Sequence, residues 1–366
     1  MKAWLALQRQ SGHDATVQLD ILSAKTDMPD FTVAILDWAL ASSVAVTLDA
    51  LGAANRIAAS LGAPARSWKV FGSSTAVPLS NGLLIPAQTL GEAEDFGASL
   101  VVVPGLGLDH PSLQHGGDGR FDWERIAGRL ELPDARRVID RIRAHGARGG
   151  LVAASCSGVL VLGEAGLLDG RAATTHWRLA GLLQRRYPAC RPDVARMVVR
   201  DGPVVTAGAA LAQMDLMLVL IGEAYGHEIA DLVARYLLMD GRPSQSCYMA
   251  WSHLQNTDET VKRLEGLIEQ CLPEVPPLAV LADQLHVTEK TLARRVRRAT
   301  GQTPGGVVQA VRLRRARHLL ETTRLPVAEI ASRVGYADAT ALRRLTLKTL
   351  HLAPGQLRGR PAAGPS

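Results

Sequence analysis

The sequence predicts two folded regions in series: an α/β sandwich around a largely parallel sheet, then an all-α region with two helix-turn-helix units. Three observations carry that reading. Apolar runs such as FTVAIL and SLVVVPGLG alternate with helical stretches up to about residue 240, the alternation that covers a parallel sheet on both faces. A polar, turn-rich stretch, GRPSQSCYMAWSHLQNTDE (241–259), interrupts the alternation, and everything after it reads as helical. Charge divides near the same place. Residues 276–366 hold 16 Lys and Arg against 5 Asp and Glu, a net of +11, so the remainder carries −5 of the chain's total of +6.

These observations set the boundaries: an extension over 1–30, the α/β region over 31–240, a linker over 241–259 and the helical region over 260–360. A chain of 366 residues suits two or three domains, each able to bury a core. In the first region FTVAIL reads as a buried strand, and VTLDALGAANRIAASLG as a helix stopped by Gly62. WKVFGSS, GLLIPAQ, SLVVVPGLG and LVAASC read as further strands. PDARRVIDRIRAHGARGG is a helix with proline in its first turn and glycine at its end. MVVRDGPVVTAG reads as a hairpin about Asp201-Gly202, and ALAQMDLMLVLIGEAYG with EIADLVARYLLMDG as two packed helices.

Composition narrows the function classes. Four cysteines, Cys156, Cys190, Cys247 and Cys271, have no close pairing, which excludes a CxxC zinc or redox motif and offers no disulfide framework. The opening MKAWLALQRQSGHD has too short an apolar run for a signal peptide. No uncharged apolar run reaches the ~20 residues of a membrane helix. A cytoplasmic chain with no membrane partner, no metal and no cofactor is expected. A basic quarter on a mildly acidic body points to an anion-binding module, most often one for nucleic acid.

The tail carries an internal repeat. LADQLHVTEKTLARRVRRATGQTP (281–304) matches IASRVGYADATALRRLTLKTLHLAP (330–354), with one extra residue in the second copy's turn. Each copy reads as short helix, tight turn, second helix. Lys290, Arg294 and Arg298 lie four apart on one face of the first copy, with Leu292 and Val296 on the other. In the second copy Thr340 and Arg344 share a face, with Arg343 beside Ala339. An inward apolar stripe under an outward arginine stripe suits a major-groove helix, since Arg can donate two hydrogen bonds to guanine O6 and N7. Between the copies VQAVRLRRARHLLETT reads as a long basic helix that fixes their relative orientation. Candidate DNA contacts are Thr288, Lys290, Thr291, Arg294, Arg295, Arg298, Ala339, Thr340, Arg343, Arg344 and Lys348.

The stretch RLRRARHLLETTRLPVAEIASRVGYADATALRR within 262–359 resembles the AraC/XylS DNA-binding domain. The resemblance implies two recognition helices, Thr288–Arg298 and Asp338–Lys348, in successive major grooves. This sequence departs from the family's pattern at Thr346, where a large apolar residue is usual, and at His351, where glycine is usual.

Earlier in the chain, SCSGVLVLGEAGLLDGRAATTHW sets Cys156 at a strand-to-helix corner, where a helix dipole lowers a thiol pKa. With VVVPGLG, and with the stretch from TAGAALAQMDL to DGRPSQS, it resembles the class I glutamine amidotransferase-like superfamily in its ThiJ/PfpI branch. The implied fold is a flavodoxin-like three-layer sandwich. Together with the tail, the chain resembles GlxA-family transcriptional regulators.

A nucleophilic cysteine needs a base and a group to orient it. The amidotransferases' late His-x-Glu pair has no counterpart among the ten histidines. Ser157 stands where the proteases of this branch place histidine, and the first helix lacks their preceding glutamate. His176 and Asp37 are the nearest substitutes. Cys156 therefore reads as a pocket residue, with a buried structural thiol and a catalytic one as alternatives. The candidate pocket is Asp37, Trp38, Gly105, Leu106, Cys156, Ser157, Thr175 and His176, because a corner with free backbone N–H groups suits a carboxylate or polar ligand. Cys190, Cys247 and Cys271 read as bystanders.

The expected function is a sequence-specific regulator acting on double-stranded DNA. Its first domain, without catalysis, would dimerise and sense a small metabolite, which the resemblance suggests is an amino acid or other nitrogenous compound. RNA polymerase stands as a further candidate partner. The alternatives are a cysteine-dependent hydrolase or amidase with an accessory DNA-binding tail, and a constitutive DNA-binding protein whose first domain only dimerises.

Overall fold

The computed structural model describes residues 30–90, 96–107, 123–239, 245, 258–350 and 352–358. The expected extension lies outside these residues except for Asp30, as do Cys247, His351 and all of the expected linker but Gln245, Asp258 and Glu259.

The first region is built on a seven-stranded sheet. Its strands are β1 (Phe31–Ala34), β2 (Trp68–Gly72), β5 (Gln88–Thr89), β6 (Leu100–Val103), β7 (Val152–Ser155), β10 (Val198–Asp201) and β11 (Val204–Ala207). Among the described residues there are also two small pairs, β3 (Ala76–Pro78) with β4 (Leu84–Pro86), and β8 (Ala172–Ala173) with β9 (Arg191–Pro192). The spatial order is β10-β11-β7-β6-β1-β2-β5. Every neighbouring pair is parallel except β10 with β11, the hairpin turned by Gly202. Central strands β1, β6 and β7 are buried along their whole length, which is why they read as continuous apolar runs rather than alternating ones.

Helices cover both faces. On one lie α1 (Ala41–Ser60), α6 (Ala212–Tyr225) and α7 (His227–Tyr236), packed around Val44, Leu51, Leu216 and Ile221. On the other lie α2 (Trp123–Glu131), α3 (Pro133–Ala147), α4 (Val159–Glu164) and α5 (Ala180–Arg186), packed around Ile126, Ile139, Leu160 and Leu183. This is the three-layer sandwich with a mostly parallel sheet that the sequence predicts. The chain leaves β1 toward β2 on one side and returns to β6 on the other. That reversal is the switch point where open α/β sheets place their ligand crevice, at the carboxyl ends of the strands.

The second region is all helix: α8 (Glu259–Cys271), α9 (Leu278–Gln284), α10 (Glu289–Thr300), α11 (Pro304–Thr322), α12 (Val327–Arg333), α13 (Ala339–Leu350) and α14 (Pro354–Leu357). Helices α9 and α10 form the first helix-turn-helix, α12 and α13 the second, and the second turn is one residue longer. The long helix α11 ties them together by giving Val307 and Val311 to the first unit's core and Leu313, Ala316, Leu319 and Leu320 to the second's. Thr346 is fully buried inside α13. Its hydroxyl donates to the Arg343 carbonyl at 3.1 Å, so the small polar residue enters this core with its hydrogen bond made.

Candidate functional site

The loops after β1, β6 and β7 meet at the switch point. Cys156 follows β7 directly with φ of 52°, a left-handed conformation that costs a non-glycine residue of order 1–3 kcal/mol and needs support from its surroundings. The support is explicit. The Cys156 N–H donates to the Gly208 carbonyl at 2.8 Å, and its carbonyl accepts from the Thr175 hydroxyl at 2.6 Å. Ser157 donates to the Leu106 carbonyl at 3.1 Å. A Cβ placed on Gly105 would lie 3.5 Å from the Cys156 Cβ and 3.6 Å from the Ser43 hydroxyl. Gly105, Leu106, Cys156, Ser157 and Thr175 thus form one cluster, joined by Ser43 and Gly208, neither of which carries a sequence signal.

Asp37, a candidate pocket residue, is engaged by its neighbours. Its carboxylate accepts from the Ser73 hydroxyl. Its N–H donates to Asp134 at 2.9 Å, and its carbonyl accepts from Arg129 at 2.8 Å. Arg129 is fully buried and doubly bonded to Asp134. This buried ion pair holds the β1–α1 loop through the Asp37 backbone, and Trp38 in that loop has φ of 61°.

The thiol is also not the activated one a helix terminus would produce. Burial pushes the Cys156 pKa up, against smaller lowering contributions from the Ser157 backbone and hydroxyl. The helix after it begins with a 3-10 turn over Cys156–Gly158 and continues for only six residues as α4, so its dipole is small. His176 is held neutral: burial, and then the charge of Arg178, lower its pKa to about 4. Its Nδ1 accepts from the Arg178 N–H at 3.1 Å as the cap of a 3-10 turn, and its ring stacks on Trp177 with centroids 5.5 Å apart. That nitrogen is spent on the backbone. Among the described residues no cluster of His, Cys, Asp and Glu is suited to hold a metal ion.

The second candidate surface lies on the two helix-turn-helix units. Leu292, Val296 and Leu342 are fully buried, which turns Lys290, Arg294, Arg298, Thr340, Arg343, Arg344 and Lys348 outward, where all are exposed. Thr288 caps α10 by accepting from the Thr291 N–H at 3.2 Å, and Thr291 and Ala339 are half-buried. Arg295 departs from its expected place among the contacts. Its guanidinium donates to the Thr260 hydroxyl at 2.5 Å and lies 3.8 Å from Asp258, bracing α10 against the start of α8. Much of the charge on α11 is likewise internal, with Arg314 paired to Glu265 and Glu269, and Arg317 to Glu321.

Comparison with known proteins agrees with this division. Residues 126–223 match the DJ-1/PfpI family and residues 281–360 match a helix-turn-helix domain. A region similar to the DJ-1/PfpI family is thus followed by one similar to a helix-turn-helix domain. Among its relatives is the HTH-type transcriptional regulator CdhR of Pseudomonas aeruginosa, 32% identical over 217 residues, which are 57% of this chain and 64% of that one. The HTH-type transcriptional regulator GlxA of Rhizobium meliloti is 30% identical over 207 residues, 56% of this chain and 64% of that protein. The matched part thus spans just under two thirds of these regulators. Isonitrile hydratase of Pseudomonas putida is 40% identical over 107 residues, 29% of this chain and 46% of the enzyme. The same kind of α/β region therefore occurs in regulators and in an enzyme.

Proposed function

We propose that the protein is a sequence-specific DNA-binding transcriptional regulator whose DJ-1/PfpI-type region binds a small effector at the Cys156 elbow without turning it over. The observation that carries this reading is the pair of matched helices α10 and α13, each with its apolar side buried and arginines exposed on the other. Two such faces fixed by one helix suit successive major grooves. The relatives CdhR and GlxA, both HTH-type transcriptional regulators, support it. No helix among the described residues is long and apolar enough to cross a membrane, which fits action on DNA in the cytoplasm, and a dimer through the α/β region would present two such modules.

The hydratase relative and the retained strained cysteine favour a second reading, an enzyme with a DNA-binding tail. Among the described residues the elbow's chemistry weighs against it: burial raises the thiol pKa and His176 has its Nδ1 occupied, whereas a nucleophile requires a free base. The test is a metabolite and isonitrile screen by thermal shift on the full chain, with turnover measured for each hit. A ligand that raises Tm, changes DNA binding and is recovered unchanged supports the regulator. Turnover that disappears in Cys156→Ser establishes the enzyme instead.

A further inference from the structure

The regions that hold the two candidate sites touch directly. The core of the first helix-turn-helix includes Trp177, Ala180 and Val194 from the α/β region beside Leu292 and Val296. The carboxyl end of α10 sits on α5. Arg185 donates to the Arg298 carbonyl at 3.0 Å, a cation at the negative end of the helix. A Cβ at Gly181 would fall 2.1 Å from that same carbonyl, so only glycine permits the approach. Below this contact a crevice of about 530 Å³ is lined by Val194 and Ala195 on one side and Gln302, Thr303 and Lys348 on the other.

One side chain connects this interface to the elbow. Gln245, from the stretch between the two regions, is buried, only 1% exposed. Its Nε2 donates to the Thr175 carbonyl at 2.9 Å and to the Thr174 hydroxyl at 3.2 Å. Its amide packs on Gly208 so closely that a Cβ there would fall 2.7–2.8 Å from its atoms. Thr175 and Gly208 both hydrogen-bond the Cys156 backbone. The Gln245 backbone N–H donates to the Ala195 carbonyl at 3.0 Å, in the segment that packs on the first helix-turn-helix. Its Oε1 is buried with no hydrogen-bond partner, an unsatisfied acceptor beside the elbow, and burial without a partner costs free energy that another arrangement can recover.

We propose that Gln245 is a positioning residue that couples the elbow to the first recognition helix. It makes the residues that brace Cys156 and the residues that seat α10 move as one unit. The inference rests on the reading of the elbow as an effector site, because it supplies the physical route by which occupancy there changes the presentation of α10. Coupling of this kind is reciprocal, and that makes it testable with neither effector nor DNA.

The experiment uses the full chain, with hydrogen exchange read by mass spectrometry and alkylation of Cys156 by iodoacetamide read on its own peptide. Gln245→Glu keeps the side chain's size and exchanges both N–H donors for acceptors. It should speed Cys156 alkylation and raise exchange over residues 289–303, each by roughly tenfold, while residues 327–350, which have their own core, exchange as in the parent. Gly181→Leu, which touches nothing at the elbow, should undock α10 and by reciprocity speed Cys156 alkylation as well. Parental exchange over 289–303 in Gln245→Glu, or a parental alkylation rate in Gly181→Leu, overturns the proposal. If either variant fails to fold, Gly181→Ala decides on the same two readouts, since one methyl group suffices to displace the carbonyl it meets. A negative result removes Gln245 from the route and leaves the effector site itself to the ligand screen.

Discussion

Replacing His176 by asparagine should remove a defined portion of the protein's acid sensitivity. The neutral imidazole caps the turn before α5 through Nδ1, and burial with the nearby Arg178 charge lowers its pKa from 6.5 to about 4. In the unfolded chain histidine takes up a proton near pH 6.5; in the folded one it resists until about pH 4. Between those values the unfolded state binds more protons, so stability must fall as pH falls through this window, and it levels off below it. A shift of that size corresponds to about 3 kcal/mol in full, of which about 2 kcal/mol is expressed by pH 5. Asparagine does not titrate, and its carbonyl oxygen can accept the same backbone N–H, as the preference for Asn at helix N-caps shows. Urea unfolding of parent and variant, followed by tryptophan emission at pH 7.5, 6, 5 and 4.5, should give stability curves that diverge below pH 6.5. The parent should lose about 2 kcal/mol more than the variant by pH 5. Parallel curves would show that His176 titrates as an ordinary solvated histidine and would refute the burial argument.

Other substitutions separate the roles of the arginines. Arg294→Ala and Arg344→Ala should each weaken binding to a selected duplex by ~1–3 kcal/mol and relax the preference at one base position; parental affinity in both by fluorescence anisotropy would remove these two faces from the interface. Arg295→Ala should leave the base preference unchanged and lower stability by no more than about 1 kcal/mol, because its contacts to Thr260 and Asp258 are partly solvated. Arg129→Met should destabilise the α/β region by about 3–5 kcal/mol, since it strands the buried Asp134 carboxylate. Adding Asp134→Leu should restore part of that loss in chemical denaturation, and no recovery would show that the ion pair is not what holds the loop.

What the sequence revealed follows from the range of the interactions involved. The helix-turn-helix units were legible because burying Leu292 and Val296 while exposing arginine is a local periodicity, repeated after a fixed interval. The parallel sheet was legible because strands buried on both faces become apolar runs. Helix α5 and the short pair β8 and β9 passed unread, being too brief for a period to show. Arg129 has the pattern of an outward-facing arginine, and only the folded arrangement brings Asp134 and the Asp37 carbonyl onto it. Gln245 sits in a polar run that reads as linker, and its burial depends on Thr175 and Gly208, which are distant in the chain. Gly181 likewise has no local signal, because the atom it makes room for belongs to residue 298.

The backbone at Cys156 is strained, and hydrogen bonds from Thr175 and to Gly208 hold it in place. The described residues beside the thiol do not activate it: Ser157 follows the cysteine, burial raises the thiol pKa, and His176 offers its Nδ1 to a backbone N–H. A site that holds its geometry and lacks a base can still bind, since binding asks for shape and oriented dipoles while catalysis asks also for a poised proton acceptor. The residues bracing Cys156 are the ones Gln245 grips, and the next turn of chain, from His176 to Gly181, carries the seat of α10. In such an arrangement a ligand's effect is limited by how differently it binds the docked and undocked states. In the proposed regulator the braced elbow transmits that difference to α10.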